Sequence, residues 1–336
     1  MKLTFKLVLA LLLIVSTVSC DVLYPTHEHS YGAFKTVLVA TCDKEGVRVA
    51  ECSCGETKRE IIPSLGHTFS EWLTEKEATY TESGVKSRIC KCGAFERVTT
   101  DILRPVFEEN FDGTTLNRSV WEKCPEWIRH DGGSIWDYSM TSLDGDGHLV
   151  LKAEWDEKNQ YVRCGAIRSK GLFEYGYGYY EASIKFPVVP GVWGAFWINC
   201  GNIAGIDGSA ADGVEIDVIE SIYNDKGYCN AALHWDGYFS AHKEANSGHM
   251  TYDIYDGNFH LFAVDRTPSG YTFYIDGVVV WSVYSYQCAP CPEPGFLELS
   301  LEATYSAGAG TEASLNALPA EMLVDYVRVY ETNPYK

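Results

Sequence analysis

The chain has 336 residues, 13% of them aromatic, and sets 46 Asp and Glu against 27 Lys and Arg for a formal charge of −19. Neutralising nucleic-acid phosphates needs a basic face, and the sequence offers none, so nucleic acid is excluded as a ligand. The length suits one large domain with appendages, since a sandwich often runs to about 250 residues as a single unit.

Lys2 and Lys6 flank the start of an apolar stretch, Leu7 to Val18. It is shorter than the about 20 residues of a membrane span and fits an export signal. The stretch ends in Thr17-Val18-Ser19-Cys20, similar to a bacterial lipoprotein signal in which Cys20 becomes the lipidated first residue and the one tie to a membrane. Ordinary cleavage after Ser19 is the alternative. Residues 1–20 are read as the signal, and the mature chain as extracellular, either a cell-surface lipoprotein or secreted.

Residues 21–103 contain an internal repeat. A shift of 38 superimposes His29 on His67, Ala40-Thr41 on Ala78-Thr79, Gly46-Val47 on Gly84-Val85, and Cys52-x-Cys54-Gly55 on Cys90-x-Cys92-Gly93. The copies resemble short Cys/Gly-His modules found in tandem on bacterial surface proteins. Two readings compete. Zinc held by His29, Cys42, Cys52 and Cys54 is one, although Cys-x-Cys is tighter than the usual gap and the second copy has Tyr80 in place of Cys42. Disulfides are the other, and an oxidising compartment with so small a module favours them. Nothing here is catalytic in type, so the region is read as a spacer or attachment module.

From residue 104 to 333 the pattern is that of many short strands. Alternation runs through His148–Glu154, Phe259–Asp265 and Leu297–Glu302. Asp276-Gly277 joins Tyr271–Ile275 to Val278–Tyr284 as a hairpin, and Pro268-Ser269-Gly270 marks another turn. Strands with regular turns and no long helical periodicity predict an all-β fold, an antiparallel sandwich of jelly-roll type. A curved sheet would offer a concave groove suited to an extended sugar chain.

The most informative stretch is Val214-Glu-Ile-Asp-Val-Ile-Glu-Ser221. As a plain strand it puts Glu215 and Asp217 on one face and Glu220 on the other. A β-bulge after Asp217 restores the phase and gathers all three acids. Crowded carboxylates repel and raise one another's pKa, which costs stability and calls for a chemical reason. Retaining glycoside hydrolysis supplies one, because it needs a carboxylate nucleophile beside a protonated carboxylic acid. A solvated acidic edge strand is the alternative for the octapeptide taken alone.

Around this motif the chain resembles the family 16 glycoside hydrolases, in the bulged Glu-x-Asp-x-x-Glu branch that includes laminarinases and other endo-β-glucanases. The resemblance rests on Phe107–Gly113 with Trp121, Gly165–Lys170, Tyr175–Glu181, Ile184–Pro187, His234–Gly237, Phe259-His260, Tyr271–Gly277 and Val324–Tyr330, in order. Gly191-Val-Trp-Gly-Ala-Phe-Trp197 stands where members commonly have Trp-Pro-Ala-Phe-Trp. By that likeness Glu215 is the nucleophile, Glu220 the general acid/base, and Asp217 the residue that orients and assists Glu215. His234 matches the family's cleft histidine, with a core or surface role as the alternative. Members often bind structural Ca²⁺ with an acid of the closing strand, here Asp325, and one near the first strand, where this chain has Asn110; calcium is expected on that likeness alone.

Trp193 is the first candidate for a sugar-stacking platform, with Trp197 as readily a core residue and Trp235 a packing one. Arg168 is a candidate sugar hydrogen-bond donor or, alternatively, an edge residue. Six more cysteines, Cys124, Cys164, Cys200, Cys229, Cys288 and Cys291, have no readable pairing. Cys288-Ala-Pro-Cys291 reads as a local staple or two free thiols.

The expected activity is retaining endo-hydrolysis of β-1,3- or mixed-linkage β-glucan by a monomer, with no cofactor required for catalysis. The negative charge favours a neutral polysaccharide over sulfated or uronic polymers. Alternatives are a glycan-binding protein without turnover, and a transglycosylase or galactan hydrolase on the same fold. Linkage specificity falls to the loops Gly201–Asp212 and Ser240–Thr251.

Overall fold

A computed structural model describes residues 28–336. The expected signal, Leu7 to Val18 with Cys20, lies outside the described residues. The described residues divide into two compact units, one running up to Glu75 and taking in Lys86–Val98, the other Lys76–Val85 with Thr99–Lys336. The segment Lys76–Val85 goes with the second unit.

The strands Lys35–Leu38, Gly46–Glu51 and Thr57–Ile62 form one three-stranded sheet, and Leu73–Lys76, Val85–Ile89 and Phe95–Thr99 another. Backbone bridges recur 38 residues apart, Tyr31 with Cys52 and Phe69 with Cys90. The cysteines group differently from the expected set. His29, Cys52 and Cys54 converge, but Cys42 joins His67, Cys90 and Cys92 instead. The reason is backbone geometry: Leu65 N–H donates to Thr41 O at 2.9 Å and draws the segment leading to His67 alongside Cys42.

The second unit is an antiparallel β-sandwich, as the alternation predicts. One sheet runs Val278–Tyr284, Gly270–Ile275, His260–Thr267, Gly178–Lys185, Ala320–Tyr330, Leu149–Asp156, Tyr161–Cys164, Ser134–Trp136, the last pair being parallel. The other runs Lys243–Asn246, Asn230–Trp235, Gly213–Glu220, Val192–Gly201, Gly295–Ala303, Ala166–Arg168, Glu122–Lys123. Alternate residues of both sheets meet in one core, Leu149, Leu151, Ile184, Phe262 and Val327 against Phe196, Ile198, Ile216, Leu233 and Leu299. Each such side chain stabilises the fold by roughly 1.5–3 kcal/mol. That reserve lets the outer face of the second sheet carry groups that cost stability.

Local chemistry fixes the connections. Asp276 and Gly277 take φ of 48° and 77°, so the turn after Gly270–Ile275 is the two-residue kind whose twist matches a hairpin. Of regular helix there is Glu312–Ala317, capped by Thr311. Among the described residues no helix is long and apolar enough to cross a membrane.

Candidate active site

The strand Gly213–Glu220 lies between Val192–Gly201 and Asn230–Trp235. Toward the first, Glu215, Asp217 and Glu220 face Asn199, Trp197 and Ala195. Toward the second, they face His234, Ala232 and Asn230. Six residues therefore span what five span on either neighbour, and the extra one falls between Asp217 and Glu220. Val218 and Ile219 both turn into the core, 3% and 0% exposed. This is a β-bulge, and it aims all three acids at the face away from the core.

The acids are held by few donors and much burial. The Tyr238 hydroxyl donates to Glu215 Oε2, and Asn230 Nδ2 donates to Glu220 Oε2 at 2.8 Å. Burial, then the charge of Asp217, pushes Glu220 up to about 8 and Glu215 well above the usual carboxylate range. His234 Nε2 stands 3.3 Å from Asp217 Oδ2. Burial pulls the imidazole down, but the hydrogen bond to Asp217 and the surrounding carboxylates outweigh it and raise His234 to about 9. As an imidazolium it donates to Asp217 through Nε2 and to His242 Nε2 through Nδ1, 3.0 Å away. Burial thus pushes both glutamates of the trio up, in the field of a buried cation.

The neighbouring strands extend the face. Trp197 stands opposite Glu298, which stands opposite Arg168. Arg168 pairs with Glu122 at 2.6 Å. At about 4.8 Å per strand this row places Arg168 roughly 14 Å from Asp217, within reach of a sugar chain but not of the reacting bond. Burial raises Glu298 to about 8, against a hydrogen bond from Cys124 at 3.3 Å. Glu302, also raised by burial, pairs with Arg129.

The platform expected at Trp193 is corrected. Its ring is 4% exposed, and the Arg129 guanidinium covers it at 4.4 Å from the ring centroid. Alternation placed its Cβ on the right face but could not reveal a cation arriving from a distant segment. Trp197 is the half-buried indole beside Asp217, anchored through Nε1 to Ser300 Oγ at 3.2 Å. Trp235 is buried, as expected.

Several residues of the face were missed by sequence reasoning. Tyr238 comes from the turn after Trp235, where Asp236 and Gly237 both have positive φ, 58° and 73°. The signal was Asp236-Gly237, which turns the chain back toward Glu215. Glu298 and Glu302 were visible as acids at alternate positions of an apolar strand. Asp236 also ties the Gly201–Asp212 loop, accepting from the backbone N–H of Gly208 at 3.1 Å and pairing with Lys243 at 3.2 Å. A hollow of about 400 Å³ lined by Tyr177, Asp265 and Arg266 lies away from the acids. An open groove on a sheet encloses little volume, so the acids and their protonation mark the site better than cavity size does.

Two other expectations fall on the sandwich. Asp325 takes the Ser183 hydroxyl at 3.4 Å, while Asn110 Oδ1 accepts from Arg328 at 3.5 Å. Asp325 joins no group of three acidic, His or Cys ligands among the described residues, and the Arg328 guanidinium stands beside Asn110. Cys124, Cys164, Cys200, Cys229, Cys288 and Cys291 are buried, and none is in a disulfide.

Comparison with known proteins bears on this geometry. The family described as Glycosyl hydrolases family 16 matches residues 133–318, just over half of the chain. Glucan endo-1,3-beta-glucosidase A1 of Niallia circulans is 25% identical over 257 residues, covering 67% of this chain and 37% of that protein. Beta-glucanase of Rhodothermus marinus is 22% identical over 226 residues, covering 61% of this chain and 79% of its own. The endo-beta-1,3-glucanase from Pyrococcus furiosus superposes with a TM-score of 0.56 at 22% identity, over 68% of this chain and 94% of that one. At that identity the likeness speaks for the jelly-roll fold alone. The chain spans little more than a third of the Niallia protein's length.

Proposed function

The chain belongs to the glycosyl hydrolases of family 16, and from that premise we propose that it cleaves β-1,3- or mixed-linkage β-glucan within the chain, with retention. Glu215 attacks the anomeric carbon. Glu220 gives its proton to the departing glycosidic oxygen, and the sugar is left esterified to Glu215. Water then gives a proton to Glu220 as it attacks the same carbon, which frees Glu215 and restores the acid. Asp217, hydrogen-bonded to His234, orients Glu215 and keeps the electrostatic balance of the pair.

The observation that carries this reading is the bulge. It aims three carboxylates at one face, while burial keeps Glu220 up near 8 and so protonated at neutral pH. A binding protein gains nothing from that arrangement. Trp197 offers a stacking surface and Arg168 a hydrogen-bond donor further along the groove. The face is lined by acids, Glu215, Asp217, Glu220, Glu298 and Glu302, with no cluster of free cations to hold an anionic polymer among the described residues, and the chain's net charge of −19 likewise supports a neutral one.

The test is incubation of the purified protein with laminarin and with mixed-linkage glucan. New reducing ends, products of intermediate length and first release of the β-anomer are expected. An α-anomer, or no reducing ends at all, would overturn the reading. Products longer than the substrate would instead identify a transglycosylase.

The cellular setting is also proposed. Lys2, Lys6, Leu7–Val18 and Cys20 support export and a lipid anchor at Cys20. A Cys20→Ser variant should move from the detergent phase to the medium. The enzyme is proposed to act as a monomer, checked by its elution volume.

A further inference from the structure

The thiols of the first unit have no part in the sandwich. Cys42 Sγ, His67 Nδ1, Cys90 Sγ and Cys92 Sγ nevertheless converge, each cluster member offering one atom within 4.8 Å of every other. Cys42 Sγ stands 3.9 Å from Cys90 Sγ, and Cys92 Sγ stands 3.3 Å from His67 Nδ1. A tetrahedral zinc ion with bonds of ~2.3 Å to sulfur and ~2.0 Å to nitrogen has S···S edges of ~3.8 Å and S···N edges of ~3.5 Å. The cluster already has that size. Disulfide sulfurs stand about 2.05 Å apart. Three thiols cannot all pair, and none of Cys42, Cys90 and Cys92 is in a disulfide.

The backbone builds this convergence. Gly93 N–H donates to Cys90 O and Cys90 N–H to Ala94 O, both at 2.8 Å, and Gly93 takes a φ of 92° that favours glycine. This tight turn brings together two thiols one residue apart, which answers the objection that Cys-x-Cys is too close. The contact between Thr41 and Leu65 then sets Cys42 opposite them. His67 and the Cys-x-Cys come from the second repeat and Cys42 from the first, so the cluster spans the junction.

We infer that Cys42, His67, Cys90 and Cys92 hold one structural Zn²⁺ that joins the two repeats. On binding, the three thiols each release a proton and ligate as thiolates, and His67 ligates as neutral imidazole. Four protein ligands close the coordination sphere, which is the arrangement of a structural ion and not of a catalytic one. The first group, His29, Cys52 and Cys54, brings three ligands. The fourth ligand of the second group is therefore the feature to test.

The test uses the full chain purified without chelators, with metal measured by elemental analysis and native mass spectrometry. Cys42→Ser is expected to lower zinc content by one equivalent per chain and to leave laminarin hydrolysis unchanged. Cobalt exchanged into the wild-type chain should give the visible absorption and thiolate charge transfer of a tetrahedral sulfur-rich site, altered in His67→Ala. That readout stands even if Cys42→Ser fails to fold. Zinc content indifferent to Cys42→Ser, or a metal-free chain lighter by the hydrogens lost in a disulfide through Cys42, Cys90 or Cys92, would overturn the inference.

Discussion

The sandwich and the repeat unit each gather reactive side chains at close quarters, and they do so with opposite resources. In the sandwich, a continuous core of large apolar residues lies directly beneath the acids, and Glu298 and Glu302 are added to the trio on the same outer face. The repeat unit buries Ala40, Val47, Ala50 and Cys90 but leaves Leu38, Ile61, Leu65, Leu73, Ile89 and Phe95 exposed. Like charges can be forced together where surplus packing offsets the cost. Where packing is scarce, the converging groups have to be attractive, or be made so by an ion.

The sharpest way to break this contrast is to remove the acids. Glu215→Ala and Glu220→Ala should each cut glucan hydrolysis by ~10³-fold or more, while thermal melting holds or rises because a buried acid, costly to ionise, has gone. A parallel fall in melting temperature would show the acids to be part of the scaffold. His234→Asn should cost about 10²-fold in kcat, as a donor to Asp217 and a buried cation are lost together.

The next test is pH. Glu220 has to be protonated to donate, so kcat/KM should fall on the alkaline side through about 8, and on the acid side once Glu215 takes up a proton above the usual carboxylate range. The limbs report the coupled trio. For stability the sign is reversed from that of a salt-bridged acid. The folded state holds the Glu220 proton more tightly than the unfolded chain, so wild-type stability should decline between the ordinary 4.5 and about 8. Glu220→Gln should melt progressively higher than wild type across that window. Calorimetry in matched buffers checks it.

Smaller effects sharpen the contrast further. Trp197→Ala should raise KM severalfold with kcat nearly kept, whereas Trp193→Ala should act on melting temperature, since its ring is buried under Arg129. Smallest of all on hydrolysis should be Cys42→Ser, which should leave the rate unchanged and destabilise the repeat unit alone.

Much of the site was legible because β-structure has a fixed period. The phase error at Glu220 demanded a bulge, and the neighbours of Glu215 and Asp217 followed from alternation. His234 falls opposite Glu215 for the same reason. What was not legible came from outside the period. Tyr238 reaches Glu215 from a turn, and Arg129 reaches Trp193 from a segment far back in the chain. Cys42 pairs across the repeat boundary because a loop contact, invisible to an offset of identical letters, brings His67 to it. The pattern of a strand predicts which way a side chain leaves the backbone, and the remainder depends on what else arrives there.

The irregularity between Asp217 and Glu220 has an evolutionary consequence. An indel of one codon in a strand ordinarily turns everything downstream inside out. Here Val218 and Ile219 point inward in succession before alternation resumes. A lineage that lost the codon for Val218 would drop to plain alternation, with Glu220 still on the outer face. The strand therefore contains one place at which its gene can shorten by a single triplet and keep the three acids in view of the same sugar.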